Sequence, residues 1–202
     1  MTAEHRPSDP TLDDLALAKA GDRKAYERLF LNAADRVLLY IRLRLGPALR
    51  SKVESGDMLQ EAYLEAFRDI GQFEPRDAGA FCRWLCRIAE HCIHGMADHF
   101  GAQKRQAPGG ERVITRVLEE ARAAGHGPAT TLARREGRAR LEQALERLER
   151  EDREVLLLRY FEERTVEEIA LATGRSPTAV RRLLGRAHLK LSDELKHAGT
   201  NR

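Results

Sequence analysis

The chain has 202 residues, 33% of them charged and only 5% aromatic, with a formal net charge of +3 at pH 7. That length allows one large domain or two small ones. So few aromatic residues exclude a large aromatic-rich core, and the scarcity of alternating or β-branched runs leaves an all-α protein with Leu, Ala and Ile stripes.

The charge is unevenly spread. Residues 1–104 hold 15 Lys+Arg against 16 Asp+Glu, residues 105–133 hold 4 against 3, and residues 134–202 hold 16 against 13. Affinity for a polyanion is therefore local and salt-sensitive. No run of about 18 apolar residues offers a membrane span, and Met1–Pro10 is polar rather than signal-like. A cytoplasmic chain is expected, with its three cysteines reduced.

Residues 1–10 read as a disordered lead-in. Thr11 with Asp14 starts a short helix that ends at Gly21, and Asp22 then caps a long one running to about Leu45. Ala25, Leu29, Val37, Leu38, Ile41 and Leu45 are its apolar set, and Gly46-Pro47 breaks it. A helix over Asp57–Ile70 buries Leu59, Ala62, Tyr63, Ala66, Phe67 and Ile70 and turns Gln60, Glu61 and Glu65 outward. After the loop Gln72–Gly79, a helix from Ala80 to about Phe100 carries Phe81, Trp84, Leu85, Ile88, Cys92 and Met96 on one face. Residues 105–133, rich in Gly, Pro, Ala and Thr, form a flexible linker with a short helical stretch at Glu111–Ala123. A helix over Arg134–Arg150 and another opened by Asp152 follow, and the chain frays from His197.

Thr165–Leu191 has the pattern of a helix-turn-helix. Thr165 and Glu168 form a capping box, Gly174 suits the left-handed turn, and Ser176 with Pro177 starts the second helix. Ile169, Ala170, Val180, Leu183, Leu184, Ala187 and Leu191 fall on the inner side. From Arg175 through Lys190 there is no acid, and Arg175, Ser176, Thr178, Arg181, Arg182 and Arg186 lie where a recognition helix meets bases and phosphates.

Three stretches in order give these helices a more specific meaning: DMLQEAYLEAFRDIGQF at Asp57–Phe73, FCRWLCRIAEHCI at Phe81–Ile93, and the whole of Glu149–Leu191. Together they resemble sigma-70 family RNA polymerase sigma factors, and more narrowly the compact extracytoplasmic function (ECF) group, over about Asp13 to Leu195. The resemblance implies two small helical bundles, residues 11–104 and 134–197, joined by the 105–133 linker. The first would dock on the polymerase β′ clamp helices through Asp57, Gln60 and Glu61 and hold the melted −10 strand with Phe73, Arg76, Arg83, Arg87, Lys104 and Arg105. The second would sit at the β flap and read the −35 duplex through the helix-turn-helix. An anti-sigma partner is a further expectation of the family.

One departure stands out. Where the family usually carries a basic residue and Asn after Ile88-Ala89, this chain has Glu90 and His91, with Asp98 beyond. That points to an unusual promoter preference or weak melting. The competing reading is a free-standing helix-turn-helix regulator with a helical sensor domain; the Asp57–Phe73 segment weighs against it. A metal or redox site at Cys82 and Cys86, one helical turn apart with His91, Cys92 and His94 nearby, resembles neither a CxxC pair nor an HExxH helix, so small core thiols and no metal or cofactor are expected. Nor is there a phosphate loop or nucleophile elbow to suggest an enzyme.

Overall fold

The computed structural model describes residues 10–45, 53–77, 79–99 and 130–200. Every regular element among them is helical. The lead-in up to residue 9, the Gly46-Pro47 break, Lys104, Arg105 and the Glu111–Ala123 stretch all lie outside the described residues.

Helix α1 (Pro10–Lys19) starts on proline, whose missing N–H costs nothing there, and turns through Gly21 at φ 93°. Asp22 then accepts hydrogen bonds from the Lys24 and Ala25 backbone amides at 2.8 and 3.1 Å, opening α2 (Arg23–Arg44). This is the cap read from the sequence.

The buried set of α2 is wider than one stripe. Tyr26, Phe30, Ala33, Ala34, Leu39, Tyr40 and Leu43 join Ala25, Leu29, Val37 and Ile41, whereas Leu38 is only half-buried. The reason is position: α1, α3 (Ser55–Asp69) and α4 (Ala80–His99) all pack on α2, and so does a helix of the second bundle. A helix covered on several sides keeps only a narrow polar face, here Arg28, Asn32, Asp35, Arg36 and Arg42.

Helix α3 buries Met58, Leu59, Ala62, Tyr63 and Ala66, and a short 3-10 turn, Ile70–Gln72, continues it. Phe67, expected inside, is 45% exposed and meets the Tyr26 ring edge-on. The expectation that no core is aromatic-rich needs correction. Phe30 stacks on Tyr26 with centroids 4.3 Å apart and takes Tyr63 and Phe81 edge-on at 4.5 and 5.3 Å. The chain has few rings, but it concentrates them in one place, where each large side chain buries the most area. The Tyr63 hydroxyl donates to the Phe30 carbonyl at 2.9 Å, while the buried Tyr26 hydroxyl finds no partner among the described residues.

The second bundle comprises α5 (Thr130–Arg147), α6 (Arg150–Tyr160), α7 (Val166–Thr173) and α8 (Pro177–Thr200). Its core is Ala144, Leu145, Leu148, Val155–Leu158, Ile169, Ala170, Val180, Leu183, Leu184 and Ala187. Helix α5 begins earlier than the expected Arg134, and α8 continues through the expected fray at His197. The C-terminal half of α2 touches α5 and the turn after α6, so the two bundles are in direct contact. No helix among the described residues is long and apolar enough to cross a membrane.

Candidate nucleic-acid interface

Local chemistry sets the angle between α7 and α8. Thr165 donates its backbone N–H to Glu168 at 2.7 Å, and the Glu168 N–H returns a bond to the Thr165 hydroxyl at 3.2 Å. These bonds from Thr165 hold the Glu168 carboxyl below the usual carboxylate range. Gly174 ends α7 at φ 64°, and its N–H returns to the Ala170 and Leu171 carbonyls. Ser176 accepts from the Ala179 amide at 3.2 Å, which starts α8. Ile169, Ala170, Val180 and Leu183 close the joint.

With that inner face buried, the outer face of α8 is fixed in space. Thr178, Arg181, Arg182, Gly185 and Arg186 are exposed, and Leu189 continues the row at 71% exposure. The cations differ in how they are held. Arg175 pairs with Glu151 at 2.7 Å and Arg181 with Glu167 at 3.1 Å. Both are surface pairs that water and salt loosen at little cost. Arg186 instead donates to Asp152, whose side chain is fully buried, through Nε at 2.8 Å; Lys190 meets the other oxygen at 2.7 Å. Burial alone would raise the Asp152 carboxyl's pKa. The bonds from Lys190 and Arg186 outweigh it and hold the group below its ordinary value. Arg182 makes no ion pair among the described residues and is the cation most available to a phosphate or a guanine edge.

Asp152 was missed as a site residue by sequence reasoning, which read it only as the opening of a helix. In the structure α6 starts at Arg150, and Asp152 in its first turn is the buried anchor of α8. The sequence signal available was an acid inside an otherwise apolar-facing register.

On the first bundle, Asp57 and Glu61 are exposed and Gln60 is half-buried, one turn apart on the outer side of α3. Phe73 is half-buried, its ring stacked on Trp84 with centroids 4.5 Å apart and 17° between planes. Arg76 and Arg87 are exposed. Arg83 is not free: it donates to Asp77 and to Glu163, each at 2.6 Å. The bond from Arg83 holds the Asp77 carboxyl below its usual range. Gly79 makes room for this, because a Cβ there would meet Arg83 Nη1 at 2.7 Å. Glu90 faces inward to Tyr40 and Arg44 at 2.8 and 3.0 Å. Its carboxylate therefore has a packing role at the place where the family usually carries a cation. Cys82 and Cys86 share a hydrogen bond that lowers the Cys82 thiol's pKa, aided by nearby Arg36 and Arg83. No three metal-ligating side chains converge among the described residues.

Residues 138–191 match the sigma-70, region 4 family. The ECF RNA polymerase sigma factor SigD of Mycobacterium tuberculosis is 32% identical over 186 residues, covering 92% of this chain and 84% of SigD. The RNA polymerase sigma-H factor of Pseudomonas aeruginosa is 29% identical, covering 87% of this chain and 89% of its own. Among solved structures, CnrH in complex with the cytosolic domain of CnrY aligns over 94% of this chain and 99% of that one, at 23% identity and a TM-score of 0.48. Near-full-length similarity to SigD, with a region 4 match on the helix-turn-helix, shows that the chain belongs to the ECF RNA polymerase sigma factors.

Proposed function

We propose that this sigma factor binds core RNA polymerase in the cytoplasm and divides promoter recognition between its two bundles, acting by binding and positioning without chemistry of its own. The α8 face reads the −35 duplex. Arg182 and Arg181 take base edges, Arg175 and Arg186 the flanking phosphates, and Ser176 and Thr178 sit at the helix start where a groove is entered. The outer side of α3, with Asp57, Gln60 and Glu61, meets the polymerase clamp. Phe73, Arg76, Arg83 and Arg87, with Lys104 and Arg105 beyond the described part of α4, hold the −10 strand through cations and a stacking ring. Two weak readers on one chain then act together through effective concentration. An anti-sigma partner would have to act on these same two bundles.

The observation that carries this reading is the outer face of α8: exposed, free of acids from Pro177 through Lys190, seated by the bonds to Asp152, and bearing a cation, Arg182, with no ion-pair partner among the described residues. Replacing Arg182 with Ala tests it. Polymerase carrying that variant should lose about 1–3 kcal/mol of discrimination between a cognate and a mutated −35 element. Unchanged discrimination in Arg181→Ala and Arg182→Ala alike would mean that this face does not read the promoter.

A further inference from the structure

The turn between α6 and α7 carries two acids that reach across to the first bundle. The Glu162 side chain, 1% exposed, accepts from the Tyr40 hydroxyl at 2.8 Å and from Arg44 Nη2 at 2.9 Å. Arg44, itself 10% exposed, also binds Glu154 of α6 at 2.7 Å and Glu90 of α4 at 3.0 Å. Glu163 lies 3.9 Å from Arg36 and accepts from Arg83 at 2.6 Å. Just before the two acids the turn places Phe161, with Tyr40 at 5.8 Å between ring centroids and the Arg36 guanidinium 5.6 Å from the Phe161 ring centre. Arg42–Glu142 at 3.1 Å repeats that polarity, a cation on α2 and an acid on the second bundle, and Asp35–Arg138 at 2.6 Å adds a pair of the opposite sense.

Two features mark the turn as more than a loop resting on a neighbour. Glu163 has φ 50°, a left-handed conformation that a residue with a Cβ adopts at a cost. Arg83, one of the cations expected to meet the −10 strand, has its guanidinium shared between Asp77 and Glu163. A phosphate reaching Arg83 has to displace the Glu163 carboxylate first.

We infer that the Glu162–Glu163 turn is an internal clasp. In the free factor it closes the second bundle onto the first and occupies, with the Glu163 carboxylate, Arg83, a cation that single-stranded DNA would use. Glu90 belongs to the clasp, since it holds Arg44 and Tyr40 in place for Glu162 and Glu154. Seating on polymerase, which has to separate the two readers so that they reach two promoter elements, opens the clasp and frees Arg83. The competition for Arg83 rests on the reading of that residue as a −10 contact; the closure itself does not.

The test uses the full-length free factor and its Glu163→Gly variant. Glycine suits the φ of position 163, so the change removes the carboxylate without a backbone penalty. Adding Glu154→Ala takes a partner from Arg44. X-ray scattering at low salt should find the wild type closed, near the roughly 17 Å radius of gyration of one compact body of this length, and the double variant larger by on the order of 3 Å. Circular dichroism of both reports whether the bundles stay folded. Affinity for a −10 single-stranded oligonucleotide should rise about tenfold in the variant and fall back when Arg83→Ala is added. A wild type already extended, or a folded variant as compact as the wild type, overturns the clasp. Opening without a gain in strand affinity overturns the competition. If Arg83→Ala is then also silent in the opened background, the fault lies with Arg83 as a strand contact.

Discussion

Replacing Asp152 with Asn keeps the shape of the side chain and removes its charge. Asp152 is fully buried and takes hydrogen bonds from Arg186 and Lys190, at 2.8 and 2.7 Å. Hydrogen bonds to a charged group contribute about 1.5–3 kcal/mol each, and stranding a buried partner raises the cost of a broken pair to about 3–5 kcal/mol. Here the partners are not stranded. The Arg186 and Lys190 side chains are 49% and 38% exposed and can turn to water, and Asn still accepts one bond. A loss of about 2 kcal/mol follows. Urea denaturation at pH 7, followed by helical circular dichroism, should show the midpoint falling with little change in slope. The pH dependence has a definite sign. The folded-state pKa of Asp152 is depressed, so its stabilisation is present above the unfolded value of about 3.9 and is lost as pH falls through the folded value. Below that range wild type and Asp152→Asn should converge. A variant within about 0.5 kcal/mol of wild type at pH 7, or a difference that does not shrink in acid, would refute the assignment of Asp152 as the anchor of α8.

Other substitutions separate local from long-range causes. Gly174→Ala meets no atom within 4 Å, so its cost is the left-handed backbone alone, about 1–2 kcal/mol in denaturation. Tyr63→Phe removes a buried bond to the Phe30 carbonyl and should cost about 1 kcal/mol or more. Tyr26→Phe removes a buried hydroxyl that has no partner among the described residues, and should be neutral or stabilising in the same assay. Arg186→Ala should lower both stability and promoter affinity because it also removes one of the two cations that hold buried Asp152, leaving Lys190 alone. Arg182→Ala should lower affinity alone, as read by promoter binding alongside thermal melting.

Much of the fold was legible because its signals are short-range. Asp22, Thr165 with Glu168, Gly174, and Ser176 with Pro177 each act within three or four residues, and the structure places every one of these caps and turns where the sequence put it. The exposed row on α8 was legible for the same reason, as the complement of an apolar stripe with helical spacing. The interior of the first bundle was less so. A count of aromatic residues does not say that they gather around Phe30, and a stripe drawn on α2 does not reveal that neighbours cover its other sides. The charges were least legible. Arg44 meets Glu154 and Glu162 across 110 and 118 residues of chain, and nothing local distinguishes these acids from solvated ones. Glu90 shows the limit well, since the sequence marks it as a departure at a DNA-facing position while its partners are Tyr40 and Arg44.

The central claim is that two bundles of one chain confer promoter recognition on RNA polymerase, and run-off transcription with purified components tests it most directly. Core polymerase plus the full-length factor should initiate from a promoter with matched −10 and −35 elements. Output should fall when either element is scrambled and vanish when the factor is omitted. Failure to associate with core polymerase, or initiation indifferent to both elements, would contradict the account.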